Sequence, residues 1–174
     1  MGLMTGLHIF DSRYGWHGGD LIIIGGETSM GKSTLATTIA ANMALNGIPV
    51  AYYSMEMSAK QLVARIIARR TEVSSSTSLY ARLSDTEYNN IYDKSASISN
   101  LPIYFDEKNK TSFVRICNSA RKMVKRYKVR VIFIDYLQIL ANGKDNNREE
   151  FLADMSRDLK RLATETNTAV VALS

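Results

Sequence analysis

Apolar residues fall along this chain in short unbroken blocks, and the blocks alternate with stretches of helical spacing. Leu21-Ile22-Ile23-Ile24 ends in Gly25-Gly26 and reads as a strand buried on both faces, as in a parallel sheet. Ser33 to Asn46, rich in Ala, Leu and Met and closed by Gly47, reads as a helix with a glycine stop. Pro49 introduces a second strand, Val50 to Tyr53. Ser58-Ala59-Lys60-Gln61 has capping-box form and predicts a helix to about Thr71; Ser84-Asp85-Thr86-Glu87 predicts another to about Ser99. Residues 72–80 read as a polar connection, and Leu101-Pro102 leads into a short strand, Ile103 to Phe105. Thr111 is the expected cap of a helix with Phe113, Ile116, Cys117, Ala120, Met123, Val124 and Tyr127 on one face. Val131 to Ile134 forms a further buried strand ending at Asp135, and residues 141–147 form a polar loop. A helix with Leu152, Met155, Leu159, Leu162 and Ala163 on one face follows, and then a last strand, Ala169 to Leu173.

Strands alternating with helices predict an α/β fold with a mainly parallel central sheet and helices on both faces. At 174 residues the chain suits one domain, 1–174, with one core. The two capped helices between about 58 and 99 read as an excursion between strands. No run of 18 apolar residues is present, which excludes a membrane-spanning helix, and the N-terminus lacks the form of a signal peptide. The single cysteine, Cys117, cannot form an internal disulfide and lies on an apolar stripe, so it reads as core; this fits a cytoplasmic protein. The net charge of +5 permits nucleic-acid contact without requiring it. Seven basic residues and no acid lie between Arg115 and Arg130, most of them on the polar face of the helix ending at Tyr127.

The sharpest chemical signal is Gly26-Glu27-Thr28-Ser29-Met30-Gly31-Lys32-Ser33, which matches G-x-x-x-x-G-K-[S/T] in full. Glycines let such a loop curl until successive backbone N–H groups face one anion, and the following helix adds its positive end. The candidate nucleotide-binding residues are therefore Gly26, Thr28, Ser29, Met30, Gly31, Lys32, Ser33 and Thr34, for ATP with magnesium. Lys32 supplies a mobile charge for the β- and γ-phosphates, and Ser33 a hydroxyl for Mg2+. Asp135, at the end of a buried strand, is the candidate second anchor for the metal. Hydrolysis needs a base to orient water, and no glutamate follows Asp135; the next residues are Tyr136, Leu137 and Gln138. Glu56, just past the strand ending at Tyr53, points toward the ligand crevice of such a sheet and is the candidate base.

These segments resemble the C-terminal ATPase domain of the DnaB family of replicative helicases, built on a RecA-like core. The likeness takes in Thr5-Gly6-Leu7 with Phe10-Asp11, Gly19 to Gly26, Thr28 to Thr34 and Ser54-Met55-Glu56-Met57-Ser58. It continues through Leu83-Ser84-Asp85, Leu101 to Tyr104, Asp135-Tyr136-Leu137-Gln138, Ser156 to Lys160 and Val170 to Ser174. The resemblance implies a RecA-like P-loop NTPase in which Glu56 is the catalytic glutamate and Asp135 the Walker B aspartate. It implies that the strand at 169–173 lies between the loop-bearing strand and the strand at 130–134, with the strand at 50–53 on the far side of the latter. It further implies a homo-hexameric ring that couples ATP hydrolysis to movement along single-stranded DNA, working with other replication proteins in a bacterial cytoplasm. The loop around Asn142, Gly143 and Lys144 matches a DNA-facing loop by position, and an ordinary exposed loop reads equally well there.

The family's γ-phosphate-sensing glutamine, its arginine finger and a further DNA loop follow the position matching Ser174. Its N-terminal domain and linker helix precede this region. The expectation is that these 174 residues bind ATP and, alone, turn it over slowly. Two residues depart from the pattern: Glu27, where relatives often carry arginine or a small residue, and Phe151, where they often carry an acid. The alternative reading is a RecA-like ATPase of recombination or regulation that uses ATP as an assembly switch.

Overall fold

A computed structural model of the chain describes residues 2–27, 29–106, 112–135 and 148–174. Five strands, β1 (Leu21–Ile24), β2 (Val50–Ser54), β3 (Ile103–Phe105), β4 (Val131–Asp135) and β5 (Ala169–Leu173), form one sheet in the order β1-β5-β4-β2-β3. Every neighbouring pair is parallel. This is the strand order that the resemblance implies.

Helices cover both faces. On one, α6 (Phe113–Tyr127) and α7 (Arg148–Thr166) pack Ile116, Cys117, Ala120, Met155, Leu159, Leu162 and Ala163 against Tyr53, Ile132, Ile134 and Val170. On the other, α2 (Lys32–Leu45) lays Ala36, Ile39, Ala40 and Met43 on Val50, Tyr52, Phe133 and Val171. The alanines let α2 approach the sheet closely, which fixes the position of the loop preceding it. The apolar stripes of α6 and α7 face the core as their spacing predicts, and Cys117 is a buried free thiol. Among the described residues, no helix is long and apolar enough to cross a membrane.

The chain between β2 and β3 holds α3 (Ala59–Thr71), α4 (Ser75–Tyr80) and α5 (Asp85–Ser99). Both capping boxes form: Ser58 with Gln61, and Ser84 with Glu87. Leu62 of α3 is buried in the core shared with α2, so the excursion is tied to the sheet by apolar packing.

Two features differ from the sequence reading, and a third adds to it. First, α4 replaces part of the polar connection at 72–80: the Ser74 hydroxyl accepts from the Thr77 N–H at 3.0 Å and starts a turn that Val73, buried, pins down. Second, β1 is not buried on both faces. Among the described strands it pairs only with β5, and Ile23 is 49% exposed while Ile22 and Ile24 pack toward α2. Third, a short helix, α1 (His8–Asp11), follows Leu7, and the Asp11 carboxylate accepts from Thr5 N at 2.7 Å, Thr5 Oγ1 at 2.8 Å and Gly6 N at 2.9 Å. Thr28, Thr111, Tyr136-Leu137-Gln138 and the loop with Lys144 lie outside the described residues.

Candidate functional site

Parallel pairing brings the C-terminal ends of β1, β2, β4 and β5 to one edge of the sheet, where ligands of open α/β sheets gather. β1 runs into the glycine loop, whose Gly26 N–H donates to the Ser174 carbonyl just past β5 at 3.2 Å. Ser54 of β2 lies in register with Asp135 of β4, and the Met55 N–H donates to the Asp135 carbonyl at 2.6 Å. The loop, the segment carrying Glu56, and Asp135 are thus neighbours because of the strand order.

The loop's shape comes from its backbone. Gly31 takes φ 85° as the N-cap of α2, and Ser29 takes φ 67°. Left-handed residues at such spacing turn the chain tightly, and only glycine adopts that region without strain. The Lys32 ammonium folds back onto the loop, donating to the Gly26 carbonyl and, at 3.2 Å, to the Glu27 carbonyl.

Glu56 sits on a turn closed by the Met57 N–H donating to Ser54 Oγ at 2.9 Å. The flanking methionines hold this turn from opposite sides: Met55 packs into the α6–α7 face and Met57 into the α2 face. That leaves Glu56 exposed at the sheet's end.

Asp135 is 1% exposed. Burial pushes its carboxyl above the ordinary range, and the nearby Glu56 adds to this. Hydrogen bonds from Ser33 and Tyr52, together with the Arg65 charge, pull the other way. The Tyr52 hydroxyl donates to Asp135 Oδ2 at 3.3 Å and is also hydrogen-bonded to Thr37 of α2. Burial and the adjacent carboxylate push the Tyr52 phenol far up, so it remains a donor.

These groups meet in one cavity of about 300 Å³, lined by Glu27, Ser29, Gly31, Lys32, Ser33, Thr34, Glu56, Arg65 and Asp135. The structure therefore brings together Lys32, Ser33, Thr34, Glu56 and Asp135, all of which the sequence singles out. Gly26 closes the loop beneath them, and Met30 is exposed on its outer side. Arg65, which lines the cavity, and Tyr52, which reaches it only through Asp135, escape sequence reasoning. Arg65 of α3 donates from Nη1 to Thr34 Oγ1 at 2.9 Å, and Tyr52 supports Asp135 from below. The nine-residue offset from Glu56 puts Arg65 well along α3, a spacing that no periodic signal marks. Tyr52 reads in the sequence only as a strand residue.

The chemistry of the donors fits magnesium. The Ser33 hydroxyl and Asp135 carboxylate are hard oxygens in mutual contact. A Mg2+ site uses one or two such protein oxygens and completes its shell with phosphate and water. No cluster of three or more acidic, histidine or cysteine ligands occurs among the described residues.

The family model described as the DnaB-like helicase C terminal domain matches residues 2–174. The chain belongs to this family. The replicative DNA helicase DnaB of Rickettsia typhi is 33% identical over 187 aligned residues, covering 100% of this chain and 38% of that protein. The corresponding helicase of Synechocystis is 37% identical over 158 residues, 89% of this chain and 18% of that protein. Among solved structures, one described as an ATPase domain superposes with a TM-score of 0.88 at 30% identity, covering all of this chain and 63% of that one. A DnaB-like replicative helicase, whose interactions with primase were described with it, gives 0.87 at 30% identity, over 43% of its chain. The chain thus spans well under half the length of the full helicases it matches. The DnaB-like domain's fold is the RecA-like one expected, with the glycine loop, Glu56 and Asp135 at the same sheet edge.

Proposed function

We propose that this chain is the motor domain of a replicative DNA helicase. It binds Mg-ATP on the loop at 26–33 and, within a hexameric ring, couples hydrolysis to translocation on single-stranded DNA and to unwinding. The observation that carries this reading is the meeting of Lys32, Ser33, Glu56 and Asp135 in one cavity at the sheet's C-terminal edge.

The residues divide the work. The loop amides and the N-terminus of α2 hold the phosphates. Lys32 exchanges its loop carbonyls for the β- and γ-phosphate oxygens. Ser33 and Asp135 hold the magnesium, which when bound neutralises charge developing on the transferred phosphoryl group. Glu56, exposed to water at the cavity's rim, orients and deprotonates the attacking water. Tyr52 keeps Asp135 aligned without touching the nucleotide. Arg65 adds positive charge beside Thr34, where phosphate oxygens gather. Lys144 is the proposed contact to single-stranded DNA. Replication proteins of a bacterial cytoplasm, or of a phage or plasmid in one, are the proposed partners.

The test is strand displacement by the full-length protein on a forked DNA with ATP and Mg2+. ATP-dependent unwinding that Lys32→Ala abolishes supports the reading. ATP hydrolysis with no displacement on any fork would favour an ATP-driven assembly switch instead.

A further inference from the structure

The cavity assigned to the triphosphate contains an acid with no task in that scheme. Glu27 occupies the first variable position of the loop and lines the cavity together with Lys32, Arg65, Glu56 and Asp135. It is exposed, and no ion pair involves it among the described residues. Its backbone is held in place, because its carbonyl accepts from Lys32 Nζ at 3.2 Å. The cavity thus sets Glu27, Glu56 and Asp135 against Lys32 and Arg65, and Glu27 tips this balance to negative.

We propose that Glu27 is a specificity-determining residue that discriminates against metal-free nucleotide, so that the site takes up triphosphate as its magnesium complex. This inference rests on the Mg-ATP reading above. Its physical basis is Coulomb's law. The repulsion scales with ligand charge, and a free triphosphate carries roughly twice the negative charge of its magnesium complex. The cost imposed by Glu27 on the free anion, in logarithmic units, is therefore about double that on the complex. Because Glu27 is exposed, the effect is screened by salt over about 8–10 Å at ordinary ionic strength.

The experiment is calorimetric titration of the chain with ATP, in magnesium and in excess EDTA, for wild type, Glu27→Gln and Glu27→Asp. The glutamine variant should tighten metal-free ATP on the order of tenfold and Mg-ATP about threefold. Both gains should shrink toward one as salt is raised, and the aspartate variant should behave like wild type. Equal gains for both forms, salt-independent gains, or none overturn the inference while leaving the ATP site standing. A wild-type chain that binds neither form overturns the ATP reading itself, and this inference with it.

Discussion

The Tyr52 hydroxyl and Asp135 Oδ2 face each other at 3.3 Å across neighbouring strands, and both side chains are buried. The tyrosine ring is clamped against Phe133, with centroids 5.5 Å apart and planes 10° from parallel. Its hydroxyl also meets Thr37, whose own hydroxyl bonds back to the Ser33 carbonyl at 2.7 Å. A rigid aromatic lever thus links the Asp135 carboxylate to the first turn of α2.

Tyr52→Phe should keep the fold and the ring stack but free Asp135 of one donor. The expected cost is about 1 kcal/mol of stability. The concentration of Mg2+ needed for half-maximal ATP binding should rise several-fold, with metal-free binding unchanged. Thermal denaturation and magnesium titrations of ATP binding measure the two effects separately. An unchanged magnesium requirement would show that Tyr52 serves packing alone.

Lys32→Ala should lower affinity for Mg-ATP by roughly tenfold to a hundredfold, the range expected for losing a charge-assisted contact. Lys32 is only partly buried and bonds to loop carbonyls, so the melting temperature should hardly move. Calorimetry with ATP checks the first point and circular dichroism the second.

Asp11 offers a pH test away from the site. Partial burial raises its carboxyl, but hydrogen bonds from Thr5, Gly6 and Leu7 outweigh this and hold it below the ordinary value of 3.8. A depressed folded-state pKa stabilises the protein above the unfolded value, and that stability disappears as pH falls through the folded one. Asp11→Asn should therefore cost about 1 kcal/mol at neutral pH, a figure kept small by solvent screening. The difference from wild type should close below pH 3.8. Urea denaturation across that range checks it; a penalty that persists in acid would mean the cost is not electrostatic.

Burial pushes the Cys117 thiol up to about 11. At pH 8 it should react with iodoacetamide at least tenfold more slowly in the native chain than in urea, since only the thiolate attacks. Mass spectrometry of timed samples reads this directly.

Much of the fold is legible in the sequence. The capping boxes at Ser58 and Ser84 form as written because their signals are local: a hydroxyl and an amide or acid three residues on. The strands β2, β4 and β5 are fully buried, as their unbroken apolar runs indicate. Leu21 to Ile24 carries the same signal yet lies half-exposed, because a run of apolar residues reports strand character and not the number of neighbouring strands. Ser74 gives no clear signal, since a serine-rich segment serves equally as loop or cap, and Val73 decides between them only by finding the core. In the cavity, Lys32, Ser33, Glu56 and Asp135 can be named from motif and strand-end position. Arg65 and Tyr52 cannot, because their parts depend on α3 crossing α2 and on β2 pairing with β4.

Glu56 is proposed as the base of a Mg-ATP hydrolysis site completed by Lys32, Ser33 and Asp135. The most direct measurement compares ATP affinity and single-turnover hydrolysis for wild type and Glu56→Gln in the full-length protein on single-stranded DNA. Affinity should be unchanged and hydrolysis should fall on the order of a hundredfold or more. Hydrolysis at the wild-type rate by the glutamine variant would contradict it.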